Sequence, residues 1–200
     1  SVTEVELTRE DILSEPNNIE FGKIWDPLGL AELGGDETIA WFRHAEVKHG
    51  RVAMAAFVGW TTVAGAGWRF PGELAHGTEF ASLPSKGLEA WDAVPGWGKA
   101  QLLLFAGLIE FHDELFFAKR GTHYMKGGKP GEFPKFGAAV PHPVPFNLYD
   151  PLGFSKNKSE EKKARGLKVE VNNGRLAMIG VAGLYCAATI EGSVPLQPPC

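Results

Sequence analysis

The chain has 200 residues and a formal charge of −4, long enough for one domain with a sizeable core and without the basic excess that neutralising phosphates demands, which argues against nucleic acid as a partner. Hydrophobic residues make up 44% and the mean hydropathy is −0.11, values that a soluble enzyme also shows. The 25 Gly, 14 Pro, 6 Trp and 13 Phe point instead to long irregular connections and many large apolar rings.

In chain order, the opening Ser1-Val-Thr-Glu4 carries no initiator Met and no apolar signal region, so the expectation is that any targeting segment has been removed or lies outside this sequence. The turn Trp25-Asp-Pro-Leu-Gly29 and the segment Glu46-Val-Lys-His-Gly-Arg-Val-Ala-Met54 follow. Both recur 124 residues later, as Tyr149-Asp-Pro-Leu-Gly153 and Glu170-Val-Asn-Asn-Gly-Arg-Leu-Ala-Met178. Two motifs sharing one offset define an internal repeat: a turn, a polar lead-in, then a helix that begins charged and ends apolar.

After Arg51, residues Val52 to Trp68 carry no charge, a stretch of about 26 Å as helix and near the lower limit for a bilayer span. Leu176 to Ile190 is uncharged in the second copy, and the charged turn before each stretch completes a crossing. A third helix lies between them, with its apolar centre at Leu102 to Ile109 and with Pro95 and Gly121 as flanks. The expected fold is an all-α membrane protein, one domain over residues 1–200. It has three transmembrane helices near 37–67, 97–119 and 160–190, the first and third related by a pseudo-twofold axis along the membrane normal. The segments 71–95 and 124–151 read as Gly- and Pro-rich loops.

Ionised groups within a span are costly unless paired. Neither Arg51 nor Arg175 has an anion three or four residues away along its own helix; Glu170 has no cation there, whereas Glu46 has Arg43. The repeat supplies partners, Glu46 with Arg175 and Glu170 with Arg51, as reciprocal charge-assisted bonds across two parallel helices. Gly50 and Ala53, with Gly174 and Ala177, let the two backbones approach beside them. Removing either Arg strands a buried carboxylate.

A carboxylate bridged to one Arg keeps an oxygen lone pair. His49 stands about 60° from Glu46 around the helix, and Asn173 stands likewise from Glu170. Single donors at matching places on two helices suit a large ligand that brings its own metal with equatorial positions filled, such as the Mg of chlorophyll. A metalloenzyme would instead converge three or four ligands on one point.

At these residues the chain resembles the light-harvesting chlorophyll-protein superfamily, whose first and third helices carry Glu-x-x-His-x-Arg and Glu-x-x-Asn-x-Arg. The likeness runs from Trp25 to about Pro195. It implies that Glu46, His49, Glu170 and Asn173 bind chlorophyll Mg and that Arg51 and Arg175 complete crossed ion pairs. Gln101 and Glu110 are nine residues apart, and with the loop His123-Tyr-Met-Lys-Gly-Gly-Lys-Pro-Gly131 they resemble the fucoxanthin or peridinin chlorophyll a/c branch. That branch implies Gln101 and Glu110 as further ligand positions. It implies chlorophyll a, chlorophyll c, a carotenoid of fucoxanthin or peridinin type, and lipid as cofactors, and the plastid thylakoid membrane as the location. The implied partners are a photosystem core, other antenna subunits and thylakoid lipids. Where plant relatives have a late Gln ligand in the third helix, this chain has Ala187. The two aromatic-Asp-Pro-Leu-Gly turns resemble those beside which family carotenoids cross the helix pair.

No catalytic residues are expected. The run His112-Asp113-Glu114 consists of neighbours pointing about 100° apart on a helix, and His44 and His76 read as solvent-facing. Cys186, inside an apolar stretch, reads as core packing, and with Cys200 it encodes neither a disulfide framework nor a cysteine zinc site. The competing functions are a photoprotective member of the same superfamily, which dissipates excitation, and a soluble metal-dependent enzyme or helical scaffold.

Overall fold

A computed structural model describes residues 9–13, 19–20, 23–75, 77–120, 122–133, 157–190 and 192–195. The second Asp-Pro-Leu-Gly turn at 149–153, His76, Cys200 and residues 134–140 of the loop after His123 lie outside the described residues. Three long helices dominate: α2 over Asp36–Trp60, α4 over Gly96–Arg120 and α5 over Glu160–Thr189. Shorter pieces are α1 over Arg9–Leu13, α3 over Gly87–Ala93, and two antiparallel ribbons, β1 (Ile19–Glu20) with β2 (Lys23–Ile24) and β3 (Glu73–Ala75) with β4 (Thr78–Glu79).

Local chemistry explains where the long helices begin and end. Asp36 and Glu37 open α2, and Glu160 and Glu161 open α5, placing negative charge at the positive end of the helix dipole. The first helix, expected to run to 67, ends as α-helix at Trp60 and continues as a wider π turn over Thr61–Gly65. There the Thr61 and Thr62 hydroxyls donate back to the Phe57 and Val58 carbonyls at 2.8 Å, which loosens the ladder, and Gly67 leaves at φ 66°. Segment 71–95, read as loop, contains the β3–β4 ribbon and α3.

The contacts group into two compact units, Ser1–Lys48 with Glu110–Asn172 and His49–Ile109 with Asn173–Cys200. In the first unit, Asp26 of the Trp25–Gly29 turn accepts from the backbone N–H of Leu30 at 3.0 Å and of Ala31 at 2.8 Å, starting a 3-10 turn over Leu30–Glu32. Its core is a cluster of Ile12, Ile39, Ala40 and Tyr124, with Leu13, Phe42 and Met125 against it.

In the second unit α2 and α5 meet at Gly50 and Gly174, equivalent residues of the repeat. A methyl group built on Gly50 would lie 3.0 Å from Gly174 Cα, and one on Gly174 would lie 2.9 Å from Gly50 Cα. Only hydrogen fits at either place. Ala53, one turn along α2, is buried, and Phe57 lies where a methyl on Gly180 would touch it at 3.0 Å.

Among the described residues no helix is long and apolar enough to cross a membrane. The cause lies in the charged turns: Arg43, Glu46, Lys48 and Arg51 interrupt α2, Glu110, Asp113 and Glu114 interrupt α4, and Glu170 and Arg175 interrupt α5. Hydropathy therefore does not by itself carry the expectation of three spans.

The Gly50–Gly174 approach generates a comparison. Gly174→Ala is expected to destabilise by about 1–3 kcal/mol through overpacking against backbone. Gly183→Ala, on the same helix with nothing within 4 Å, is expected to be neutral or to gain up to about 1 kcal/mol from helix propensity. Thermal midpoints of the two variants check this, and equal shifts would contradict the tight crossing.

Candidate functional site

The ligand positions expected from the repeat fall on α2, α4 and α5. His49, Gln101 and Asn173 are exposed, and Glu46 and Glu170 are half-buried. Each exposed donor has a large exposed apolar neighbour one turn further along the same helix face: Val52 (70% exposed) for His49, Leu104 (66%) for Gln101 and Leu176 (69%) for Asn173. A single N or O donor beside an apolar platform can meet a metal at the centre of a flat apolar ring. The donor set fits such a group: one hard donor per position, no convergence, and space above it.

Glu46 also accepts from Arg43, its neighbour at three residues, at 2.6 Å. Arg51 and Arg175 are half-buried. Glu110 departs from the pattern. It has Asp113 and Glu114 rather than an apolar residue one turn on, and its Oε2 accepts from Lys48 at 2.8 Å while the side chain is 58% exposed. Its other carboxylate oxygen is the atom left for a metal.

The structure assembles a second constellation, which the sequence reading did not anticipate. His44, expected to face solvent, is buried, and Asp113 is fully buried beside it. His44 and Lys48 stand four residues apart on α2, and Glu110 and Asp113 three apart on α4, so a face of hydrogen-bond donors on one helix meets a face of carboxylates on the other. His44 Nε2 donates to Asp113 Oδ2 at 3.0 Å, and Lys48 pairs with the same oxygen. The Gly131 N–H donates to His44 Nδ1 at 3.0 Å, which fixes the neutral tautomer with hydrogen on Nε2. Gly131 holds φ 81°, and a methyl there would strike Val47 Cγ1 at 2.9 Å, so glycine is required on both counts. The loop after α4 is thereby latched to α2.

Tyr124 extends this latch. Its ring stacks on His44 with centroids 3.9 Å apart and planes 7° from parallel, and its hydroxyl donates to Glu114 Oε1 at 2.8 Å. His123 meets Glu114 Oε2 at 3.2 Å while its Nδ1 accepts from the Met125 N–H. Burial, and then the bond to Glu114, push the Tyr124 phenol well above the ordinary tyrosine range. Among the described residues one group of three potential metal donors lies within 4.8 Å, namely His44, Asp113 and Glu114. Both His44 ring nitrogens are already committed, so the group acts as a polar clamp and not as a cation site. None of the expected ligand positions belongs to it. Cys186, expected in the core, is exposed.

The latch generates two expectations. Asp113→Ala leaves His44 and Lys48 without their shared acceptor and should cost about 3 kcal/mol, discounted from a fully buried pair because Lys48 reaches solvent. Tyr124→Phe should cost about 1 kcal/mol at neutral pH. Because the native state holds the phenol proton more tightly than the unfolded chain, stability falls as pH rises past about 10, the ordinary tyrosine value. The gap between wild type and Tyr124→Phe should therefore narrow above that pH in denaturation measurements, and a constant gap would contradict the assignment.

A family model described as chlorophyll A-B binding protein matches residues 13–189. The chain is 37% identical over 162 residues to fucoxanthin-chlorophyll a-c binding protein A, chloroplastic, of Phaeodactylum tricornutum, covering 80% of this chain and 71% of that protein. It is 36% identical over 163 residues to the D protein of the same description in Macrocystis pyrifera, covering 80% and 77%. It is 33% identical over 175 residues to the fucoxanthin-chlorophyll a-c binding protein of Trieres chinensis, covering 86% and 76%.

Proposed function

The chain belongs to the chlorophyll A-B binding protein family, and on that premise we propose that it is a light-harvesting antenna of the plastid thylakoid membrane. It holds chlorophyll a, chlorophyll c and a carotenoid of fucoxanthin or peridinin type, and it passes excitation to a photosystem. The family is defined by binding pigment, not by turnover of a substrate. The observation that carries this reading is the pairing of each exposed donor, His49, Gln101 and Asn173, with a large exposed apolar residue one turn on. In a water-soluble protein, exposed runs such as Leu102-Leu-Leu-Phe105 would be an aggregation liability. Against pigment rings and lipid they are contact surface.

The protein's contribution is position. His49 and Asn173 would hold a chlorophyll through a nitrogen and an oxygen donor from the two repeat helices, Gln101 would offer a third donor from α4, and the Glu46 and Glu170 carboxylates would offer further oxygens. Glu110 serves as a ligand only through the oxygen that Lys48 leaves. Crossed pairs of Glu46 with Arg175 and Glu170 with Arg51 neutralise the charged turns of α2 and α5, which lets these two helices cross the membrane although their hydropathy alone does not. The pigments bring the visible absorption, while the side chains fix ring orientation and keep water away. A photosystem core and other antenna subunits are the partners, and thylakoid lipids fill the remaining apolar surface.

Fluorescence excitation of the protein purified in mild detergent tests the transfer step. Carotenoid and chlorophyll c bands that drive chlorophyll a emission, with a nanosecond-scale lifetime, are expected of an antenna. Bound pigments whose absorption bands are missing from the excitation spectrum would contradict energy transfer.

A further inference from the structure

The second unit contains a cavity of about 370 Å³ between the end of α2, the turn that follows it and α3. Trp60, Val63, Trp68, Phe70, Leu83 and Trp91 line it, so its walls are almost wholly apolar. Arg69 stands at the rim, but its guanidinium is committed to backbone. It donates to the carbonyls of Val63 at 2.9 Å, and of Trp68 and Pro84 at 3.0 Å each. That clamp ties the turn to the segment before α3 and leaves the cavity without a cation directed at an anionic group.

One polar atom in the lining is unexplained. The Trp60 Nε1–H is buried and finds no acceptor among the described residues. Buried donors nearly always have a partner, and this indole is not free to turn away in search of one. A methyl group on Gly87, the first residue of α3, would lie 2.7 Å from Trp60 Cε2 and 2.9 Å from Cζ2, so α3 rests directly on the ring. Trp68 and Phe70, tilted edge-on at 4.6 Å, form an exposed aromatic lip outside.

We propose that this cavity seats the end of an elongated apolar ligand that carries a hydrogen-bond-accepting oxygen, with the Trp60 Nε1–H as the donor that fixes it. The acceptor is a carbonyl or hydroxyl on a xanthophyll end ring, or an ester carbonyl of a membrane lipid. This rests on the reading of the chain as a pigment-binding membrane protein. The volume is near the low end for ligand pockets, enough for a terminal ring or a short stretch of chain but not for a chlorophyll macrocycle with its tail. The rest of such a ligand continues over the lip of Trp68 and Phe70. Trp60 is thus a residue that selects oxygenated ligands over plain hydrocarbon ones.

Trp60→Phe removes the N–H and keeps an aromatic ring, and bound carotenoid and lipid per chain are measured by chromatography and mass spectrometry after purification in mild detergent. The expected result is the loss of one oxygenated ligand per chain with the others retained. Loss of carotenoid identifies a xanthophyll as the occupant, and loss of lipid identifies the ester. A folded variant that retains both at wild-type numbers overturns the proposal. Should the variant not fold, the wild type decides through the ultraviolet resonance Raman band of the indole N–H, compared after reconstitution with and without xanthophyll and lipid. A hydrogen-bonded component that appears with either ligand and is absent without them supports the proposal, and its absence under all conditions overturns it. A wild-type protein that binds no pigment removes the antenna reading and leaves the lipid arm to decide this site.

Discussion

The close approach of α2 and α5 at Gly50 and Gly174 is the constraint on which the second unit depends. Each glycine occupies the position where a methyl group would stand about 3 Å from the other's Cα. Such contact is available only to glycine, and it occurs at equivalent residues of the two repeats. Dispersion and close backbone packing, not hydrophobic transfer, hold helices together where the surroundings are themselves apolar. The crossing also sets the turns that carry two of the candidate donors. His49 is adjacent to Gly50 and Asn173 is adjacent to Gly174, so the close contact orients the donors that the proposed function requires.

The first unit solves a different problem by different means. Its buried residues are few, and several are polar: Arg43, His44, His112 and Asp113. Asp113 would be costly to bury alone. It receives His44 and Lys48 from α2, and the loop after α4 returns its Gly131 N–H to the far side of the same imidazole. A stack of His44 on Tyr124 and a bond from Tyr124 to Glu114 complete the assembly. Asp113 Oδ1 is buried without a hydrogen-bond partner among the described residues.

The family and the helical class were legible because they rest on local motifs repeated at a fixed offset; α4 fills the interval between Pro95 and Gly121, and α5 ends within a residue of its uncharged stretch. What was not legible depended on contacts far apart in the chain. His44 looked solvent-facing because its partners, Asp113 and Gly131, are 69 and 87 residues away. The available signal was the matched spacing of His44 with Lys48 and of Glu110 with Asp113, a basic face and an acidic face on two helices. Helix α3 was missed because seven residues between Pro84 and Pro95 give too short a pattern to separate from loop. The π turn after Trp60 was hidden by two threonines whose hydroxyls bond backwards. Cys186 was misjudged because an apolar stretch of α5 faces outward, which a rule made for water-soluble cores does not foresee.

Taken together, exposed donors, exposed apolar helix faces and a tight helix crossing describe a scaffold that is incomplete without large apolar ligands. The most direct measurement is pigment analysis of the protein purified from its native membrane in mild detergent. The account predicts chlorophyll a together with chlorophyll c and carotenoid at fixed stoichiometry per chain. A colourless, folded protein would contradict it, and would leave the repeated Glu and Arg residues as crosslinks of some other helical protein.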